Sequence, residues 1–233
     1  MRRIADALSL PLLRSRVRVD GTSEQAARNA RYAALEAMAR RHGARRILLA
    51  QTADDRAESV LFHLQRGTGL RGLAPMRRRS LVHGVWRVRP ALHQRRAALH
   101  TMAAPFDPVC DPTNRATGPS RSRLRHLTLP DWEGRLGTDP VPMLCELAQL
   151  ADRTRGALER ASAPSFDRRV LLAQPDALFP YCVEAMRVGP PLSRAAYASL
   201  RAYLEAGRGD RDFVTPAGDR WRNGPQGQLS VTV

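Results

Sequence analysis

Leu48-Leu-Ala-Gln-Thr-Ala-Asp-Asp-Arg-Ala-Glu-Ser-Val-Leu61 is the stretch that decides how this chain folds. Ile47 to Ala50 is a short apolar run, Asp54 and Asp55 follow it at once, and Val60, Leu61 and Leu64 then return at helical spacing. The pattern reads as strand, acidic turn, helix. Upstream, Ile4 to Leu10 carries apolar residues at helical spacing as far as Pro11. Val17 and Val19 then alternate with Arg16 and Arg18, which predicts a short helix leading into a strand. Thr22 with Gln25 three residues on has the form of a capping box, and Ala, Leu and Met fill the stretch to His42 before Gly43, so a helix is expected over about 23–42. Helix–strand–helix alternation implies an α/β domain with a parallel sheet, whose ligands sit beyond the carboxyl ends of the strands. The acidic turn lies at such an end.

The chain has 233 residues, 43% of them apolar, enough for a real core in one or two domains. Its formal charge is +16, and all 38 basic side chains are arginine. No lysine of this chain can therefore serve as a nucleophile, a Schiff base or a phosphate clamp. Arginine keeps its charge and its fork matches phosphate bidentately, so the excess reads as a surface for a polyanion; codon bias is the competing explanation. The charge is concentrated. From Arg71 to His126 there are 12 Arg against only Asp107 and Asp111, and Pro105, Pro108, Pro112 and Pro119 make this stretch loop-rich.

Cys110, Cys145 and Cys182 lie more than thirty residues apart, which fits neither a disulfide framework nor a zinc site and predicts reduced thiols in a cytoplasmic protein. No apolar run is long enough for a membrane span. Helices are expected again from Met143 to Ala161 and from Ser193 to Ala206, and Gly218 to Gly224 before Leu229-Ser-Val-Thr-Val predicts a small β-hairpin.

Asp55 and Glu58, three apart on the first turn of a helix, project to one face. Such a pair can hold Mg²⁺ through oxygen or orient a cationic amine; the plainer alternative is a helix start that favours acids because they complement its dipole. Arg66-Gly-Thr-Gly69 has backbone room for a phosphate, yet a helix C-cap explains the same glycines. Glu24, Arg28, Arg31 and Tyr32 fall on one helical stripe, which serves equally as a solvated face with ordinary ion pairs.

Six stretches, in this order, resemble the tRNA(Ile)-lysidine synthase family of PP-loop ATP-pyrophosphatases. They are Glu24-Gln-Ala-Ala-Arg-Asn-Ala-Arg-Tyr32, Ala50-Gln-Thr-Ala-Asp-Asp-Arg-Ala-Glu-Ser59, Arg66-Gly-Thr-Gly-Leu-Arg-Gly-Leu73, Arg89-Pro90, Asp111-Pro-Thr-Asn114 and Arg121-Ser-Arg-Leu-Arg125. The tail from Tyr181 to Val233 looks like the family's carboxyl-terminal region. The resemblance implies a truncated Rossmann-like, PP-loop-type domain over 1–132 with an Arg-rich tRNA-facing segment. A helical appendage with a C-terminal hairpin would fill 133–233. It also implies a reaction in which ATP adenylates the 2-carbonyl oxygen of the wobble cytidine of tRNA(Ile), pyrophosphate leaves, and the ε-amine of free L-lysine attacks C2 with release of AMP. ATP and Mg²⁺ are the implied cofactors.

Carried over by motif, Asp55 and Glu58 are the implied catalytic pair that engages the lysine amine, with Asp54 close by. Arg31, Asp54, Gly67 and Gly69 are assigned to the nucleotide; Arg28, Arg66, Arg121, Arg123 and Arg125 are assigned to RNA. Three departures stand out. The family's Ser-Gly-Gly-x-Asp-Ser nucleotide loop is missing, Gln51 stands where the family usually has His, and Ser122 stands where it usually has Asn. An amino-terminally incomplete version of the enzyme is therefore expected, with exposed apolar surface or an open strand edge where central strands would pack. A second copy of the chain or a complementing amino-terminal fragment are the further expected partners. The alternative from another class is a catalytically silent tRNA- or RNA-binding protein. A thiolating sibling enzyme is disfavoured by the wide cysteine spacing. Trp86, Trp132 and Trp221 are read as core or interface residues.

Overall fold

The computed structural model describes residues 2–19, 24–108, 120–189, 191–207, 211–224 and 226–232. The chain divides into two compact units, Met1–Asp152 and Arg153–Val233.

In the first unit, α1 (Arg2–Ala7) is followed by α2 (Glu24–Arg41), β1 (Arg46–Leu48), α3 (Ala53–Leu64) and the single turn α4 (Leu70–Leu73). Strands β2 (Arg79–Val82) and β3 (Val85–Val88) come next, then α5 (Arg96–Ala103), α6 (Ser120–Arg123), α7 (Leu129–Leu136) and α8 (Pro140–Ala161), which the unit boundary divides. The strand order is β1-β3-β2, with β1 parallel to β3 and β2 antiparallel to it. The sheet is therefore mixed, and the expected α/β class holds.

Residues 11–19 form no strand. Val17 and Val19 are exposed despite their alternation with arginine, because alternation describes a surface that fits a sheet and does not supply a neighbour to pair with. The expected capping residue Thr22 lies outside the described residues, as do Cys110 and the Asp111–Asn114 motif.

The hairpin β2–β3 was not foreseen. Its turn is His83-Gly84, closed by the Val82–Val85 pair, and both turn residues have positive φ, +48° and +79°. Two left-handed residues in a two-residue loop match the right-handed twist of the strands they join. The register puts Ile47, Val85 and Arg87 on one face. Ile47 and Val85 pack there with Leu35 and Ala39 of α2. Leu48, Leu81 and Trp86 point the other way and are 70%, 57% and 38% exposed, while β1 is an edge strand. Apolar surface and an open edge are both present, as expected.

Helix α3 runs through the middle of this unit. Thr52 caps it by a reciprocal box: its hydroxyl accepts from the Asp55 N–H (3.3 Å), and Asp55 Oδ2 accepts from the Thr52 N–H (2.8 Å). Ala53, Ala57, Val60 and Leu61 pack with Leu124, Leu129, Val141, Leu144 and Ala148. Between α6 and α7 the helix widens into a π turn, Leu124–Thr128. Pro130, at the start of α7, has no N–H for the regular ladder, which accounts for the irregularity there.

The second unit contains α9 (Arg168–Leu172), α10 (Phe179–Ala185), α11 (Arg194–Ala206) and the antiparallel sheet β4 (Phe213–Val214), β5 (Arg220–Asn223) and β6 (Leu229–Thr232), in the order β4-β5-β6. The expected hairpin is β5–β6, extended by β4. Trp221 is fully buried with Leu171, Phe179, Val183, Leu200 and Leu204. The side chains of Arg187 and Asp219 form a buried ion pair, and Thr215 donates its hydroxyl to Asp219 at 2.8 Å.

Candidate functional site

The capped start of α3 sets three carboxylates within one turn, and each is met by guanidinium. Asp54 accepts from Arg95 Nη2 at 3.0 Å and from the backbone N–H of Arg96 at 2.6 Å. It thereby caps the start of α5, where a negative charge also suits the helix dipole. Arg95 reaches on to Asp139. Arg96 Nη2 lies between the two residues singled out by spacing, 2.7 Å from Asp55 Oδ1 and 2.9 Å from Glu58 Oε1. Arg125, on the π turn, grips Glu58 with both edges of its fork, Nε at 2.8 Å and Nη2 at 2.9 Å. The Glu58 side chain is 4% exposed.

Asp55 thus does two things. One oxygen serves the helix cap, and the other faces Arg96. The spacing argument and the helix-start argument describe different oxygens of the same carboxylate. Beside the cluster is a cavity of about 120 Å³, lined among others by Asp54, Glu58, Arg96, Arg125 and Leu129. That is room for a head group, since a water's share of liquid volume is about 30 Å³.

Burial opposes ionisation of Asp54, but hydrogen bonds from Arg95 and from the Arg96 N–H outweigh it and hold its carboxyl below the ordinary value of 3.8. Burial likewise opposes the charge on Arg96, and Glu58 and Asp55 outweigh that and raise its pKa. A carboxyl with a depressed folded pKa contributes stability above its unfolded pKa and loses it as pH falls through the folded one. Asp54→Asn is therefore expected to cost about 1–2 kcal/mol at pH 7. The difference from the wild type should shrink below about pH 3.8, where urea midpoints of the two proteins converge. A gap that stays constant from pH 7 to 3 would contradict this account.

The remaining sequence candidates are more scattered. Arg31 is exposed and, among the described residues, has no ion-pair partner; its guanidinium lies 5.7 Å from the Tyr32 ring centroid. Arg28 and Arg66 lie over Tyr32 and Phe62 at 5.5 and 4.2 Å. Gly67 closes α3 with φ +66°, and its N–H bonds to the Leu64 carbonyl at 3.0 Å; Gly69 caps α4 and has open space around it. Arg123 is exposed, and the side chain of Arg121 lies outside the described residues. Among the described residues no group of three His, Cys, Asp or Glu side chains converges to hold a metal ion.

Three arginines central to the geometry were not singled out by sequence. Arg95 and Arg96 are two. The third is Arg89, quoted only within a motif. It is buried, donates to Gln51 and to the Arg77 carbonyl, and ties the end of β3 to the segment leading into α3. The available signal was electrostatic, because three clustered acids in a chain with this arginine excess must find cations.

Residues 1–132 match the PP-loop domain family. The chain belongs to that family. This PP-loop chain is also similar to curated proteins named tRNA(Ile)-lysidine synthase. One from Streptomyces coelicolor is 45% identical over 60% of this chain and 40% of the relative. One from Leifsonia xyli is 36% identical over 87% and 61%, and one from Pseudomonas aeruginosa is 35% identical over 94% and 49%. The chain spans about half the length of the curated relatives it matches. No helix among the described residues is long and apolar enough to cross a membrane.

Proposed function

We propose that this PP-loop chain takes part in ligating L-lysine to C2 of the wobble cytidine of tRNA(Ile), at the start of α3. The observation that carries the reading is Arg96 Nη2 held between Asp55 and Glu58. That nitrogen stands in for a substrate ammonium and marks where two carboxylates receive one cation. A lysine ε-ammonium attracted to this place would have a carboxylate at hydrogen-bond distance to take its proton before attack. ATP, when bound, supplies the adenylyl group that makes the 2-oxygen of cytidine a leaving group.

Exposed Arg31 fits a nucleotide phosphate; Asp54, in the first turn of α3, and Gly67 and Gly69, beyond its end, are the further proposed nucleotide contacts. Mg²⁺ enters this proposal as the companion of the nucleotide phosphates. Arg28, Arg66, Arg121, Arg123 and Arg125 form the proposed RNA contacts, in a cytoplasmic protein.

The assay is AMP release from ATP by the full chain with tRNA(Ile), with and without lysine. Lysine-dependent release in the wild type and its loss in Glu58→Gln are expected. A second reading has its own observation: Arg96 and Arg125 already satisfy Glu58, which favours a silent RNA-binding protein. Tight tRNA binding with no AMP at any lysine concentration would decide for it. Under both readings log Kobs should fall with log[salt] with a slope of about −4 to −5 if about six phosphates are contacted. A flat response in filter binding would remove the polyanion argument.

A further inference from the structure

Two guanidiniums reach the Asp55–Glu58 pair, and they hold it in different ways. Arg125 meets Glu58 with both edges of its fork, Nε on Oε1 at 2.8 Å and Nη2 on Oε2 at 2.9 Å, so each oxygen of that carboxylate has its own donor. Arg96 spends a single nitrogen, Nη2, on both residues, 2.7 Å from Asp55 Oδ1 and 2.9 Å from Glu58 Oε1. Among the described residues its Nε and Nη1 make no hydrogen bond. A fork-to-fork contact is the strong and geometrically specific arrangement, whereas a guanidinium used through one nitrogen acts as a point donor. Arg125 is therefore the fixed cation and Arg96 the exchangeable one.

The surroundings of Arg96 permit the exchange. Its backbone is anchored independently of its side chain, because its N–H donates to Asp54 Oδ2 at 2.6 Å at the start of α5. The side chain can turn away without unwinding the helix. It is 28% exposed and lines the cavity of about 120 Å³ beside the cluster. Glu133 lines the same cavity, exposed and without an ion-pair partner among the described residues, so a departing guanidinium has a carboxylate to turn to. An ammonium suits the place it leaves. Nη2 has two N–H groups for two carboxylates, and an ammonium offers the same pair with a third donor to spare.

We propose that Arg96 is an internal competitor for the amine at the Asp55–Glu58 pair: its guanidinium holds the place of the substrate ammonium and leaves only as that ammonium arrives, so Arg96 sets the affinity of the site for lysine. The identity of the amine rests on the functional reading above; the displacement of one cation by another does not. An apparent affinity is the intrinsic affinity reduced by the fraction of molecules in which the place is open. With that fraction at about one tenth or less, removing the competitor tightens binding at least tenfold.

The test titrates L-lysine into the full chain and its Arg96→Gln and Arg96→Lys variants by calorimetry. In Arg96→Gln, Arg125 still satisfies Glu58 and Asp55 still caps α3, so the fold should survive, and circular dichroism checks that it does. Arg96→Gln should bind lysine at least tenfold more tightly than the wild type. Arg96→Lys, which restores a cation, should stay within about threefold of the wild type. A merely structural role for Arg96 would weaken binding in Arg96→Gln instead. The wild type supplies a second measurement that needs no variant. Phenylglyoxal, which adds to free guanidinium groups, should modify Arg96 about threefold faster with lysine present than with norleucine, which lacks the ε-ammonium, and should leave the Arg125 rate unchanged; peptide mass spectrometry reads both sites. Lysine binding by Arg96→Gln no tighter than by the wild type, equal tightening in Arg96→Lys, or an Arg96 rate that is the same in lysine and norleucine overturns the proposal. Lysine-dependent AMP release with tRNA(Ile) is read separately on the same proteins. Tighter lysine binding without AMP fails the ligase reading alone, and AMP release by the wild type with unchanged lysine affinity in Arg96→Gln fails the displacement alone.

Discussion

Glu58→Ala is expected to lower the unfolding free energy of the Met1–Asp152 unit by about 3–5 kcal/mol. Glu58 is almost wholly buried and receives three hydrogen bonds from two guanidiniums, those of Arg96 and Arg125. Removing the carboxylate leaves those two like charges facing each other with only Asp55 between them, 2.7 Å from Arg96 and 3.7 Å from Arg125. Breaking a buried pair from one side costs far more than the pair itself is worth, because the stranded charge stays desolvated. Glu58→Gln keeps an acceptor and the side-chain volume, and should cost less. Urea unfolding followed by circular dichroism gives both values. A loss under 1 kcal/mol for the alanine variant would mean that Arg96 and Arg125 swing to solvent freely, and the cluster would then not be a preorganised cation site.

A loss of similar size, about 3–5 kcal/mol, is expected in the Arg153–Val233 unit from Asp219→Ala. Asp219 is fully buried, receives Arg187 Nε at 2.7 Å and the Thr215 hydroxyl at 2.8 Å, and donates its own N–H to Thr215 Oγ1. Truncation leaves the buried Arg187 fork facing Glu184, 3.1 Å away, and frees the turn between β4 and β5. Thr215→Val, which removes one neutral hydrogen bond, should cost only about 1 kcal/mol. The two variants separate charge stranding from loss of turn geometry. Equal losses from both would assign the effect to the turn.

What could be read beforehand follows the range of the forces involved. The strand–acid–helix unit from Ile47 to Leu64 was legible because its determinants are local: Thr52 and Asp55 cap one another across three residues, and the apolar spacing of α3 is uninterrupted. The β2–β3 hairpin was missed because its strands are only four residues long and include arginines, and because its turn opens with His83 where Asn or Asp would have signalled it. Val17 and Val19 erred the other way, since alternation was taken for pairing. At the site, Asp55 and Glu58 could be named from spacing, but their partner Arg96 stands 38 residues from Glu58, and Arg125 stands 67 residues away. Nothing in local pattern encodes such pairings. Arg125, assigned to RNA by resemblance, spends its fork on Glu58 in this structure.

The uncovered side of the first sheet bears on how any of these variants is measured. Leu48, Leu81 and Trp86 lie open to water there in the native state, and environment-sensitive dyes such as ANS adhere to surfaces of that kind. Dye fluorescence will start high before any heating, so a melting curve recorded that way begins on a raised baseline. Trp86 should emit at longer wavelength than the enclosed Trp221. Trp132, half-buried against the α3 core, falls between the two, so only the bluest emission follows the carboxyl-terminal unit, and the red edge contributed by Trp86 barely registers unfolding at all.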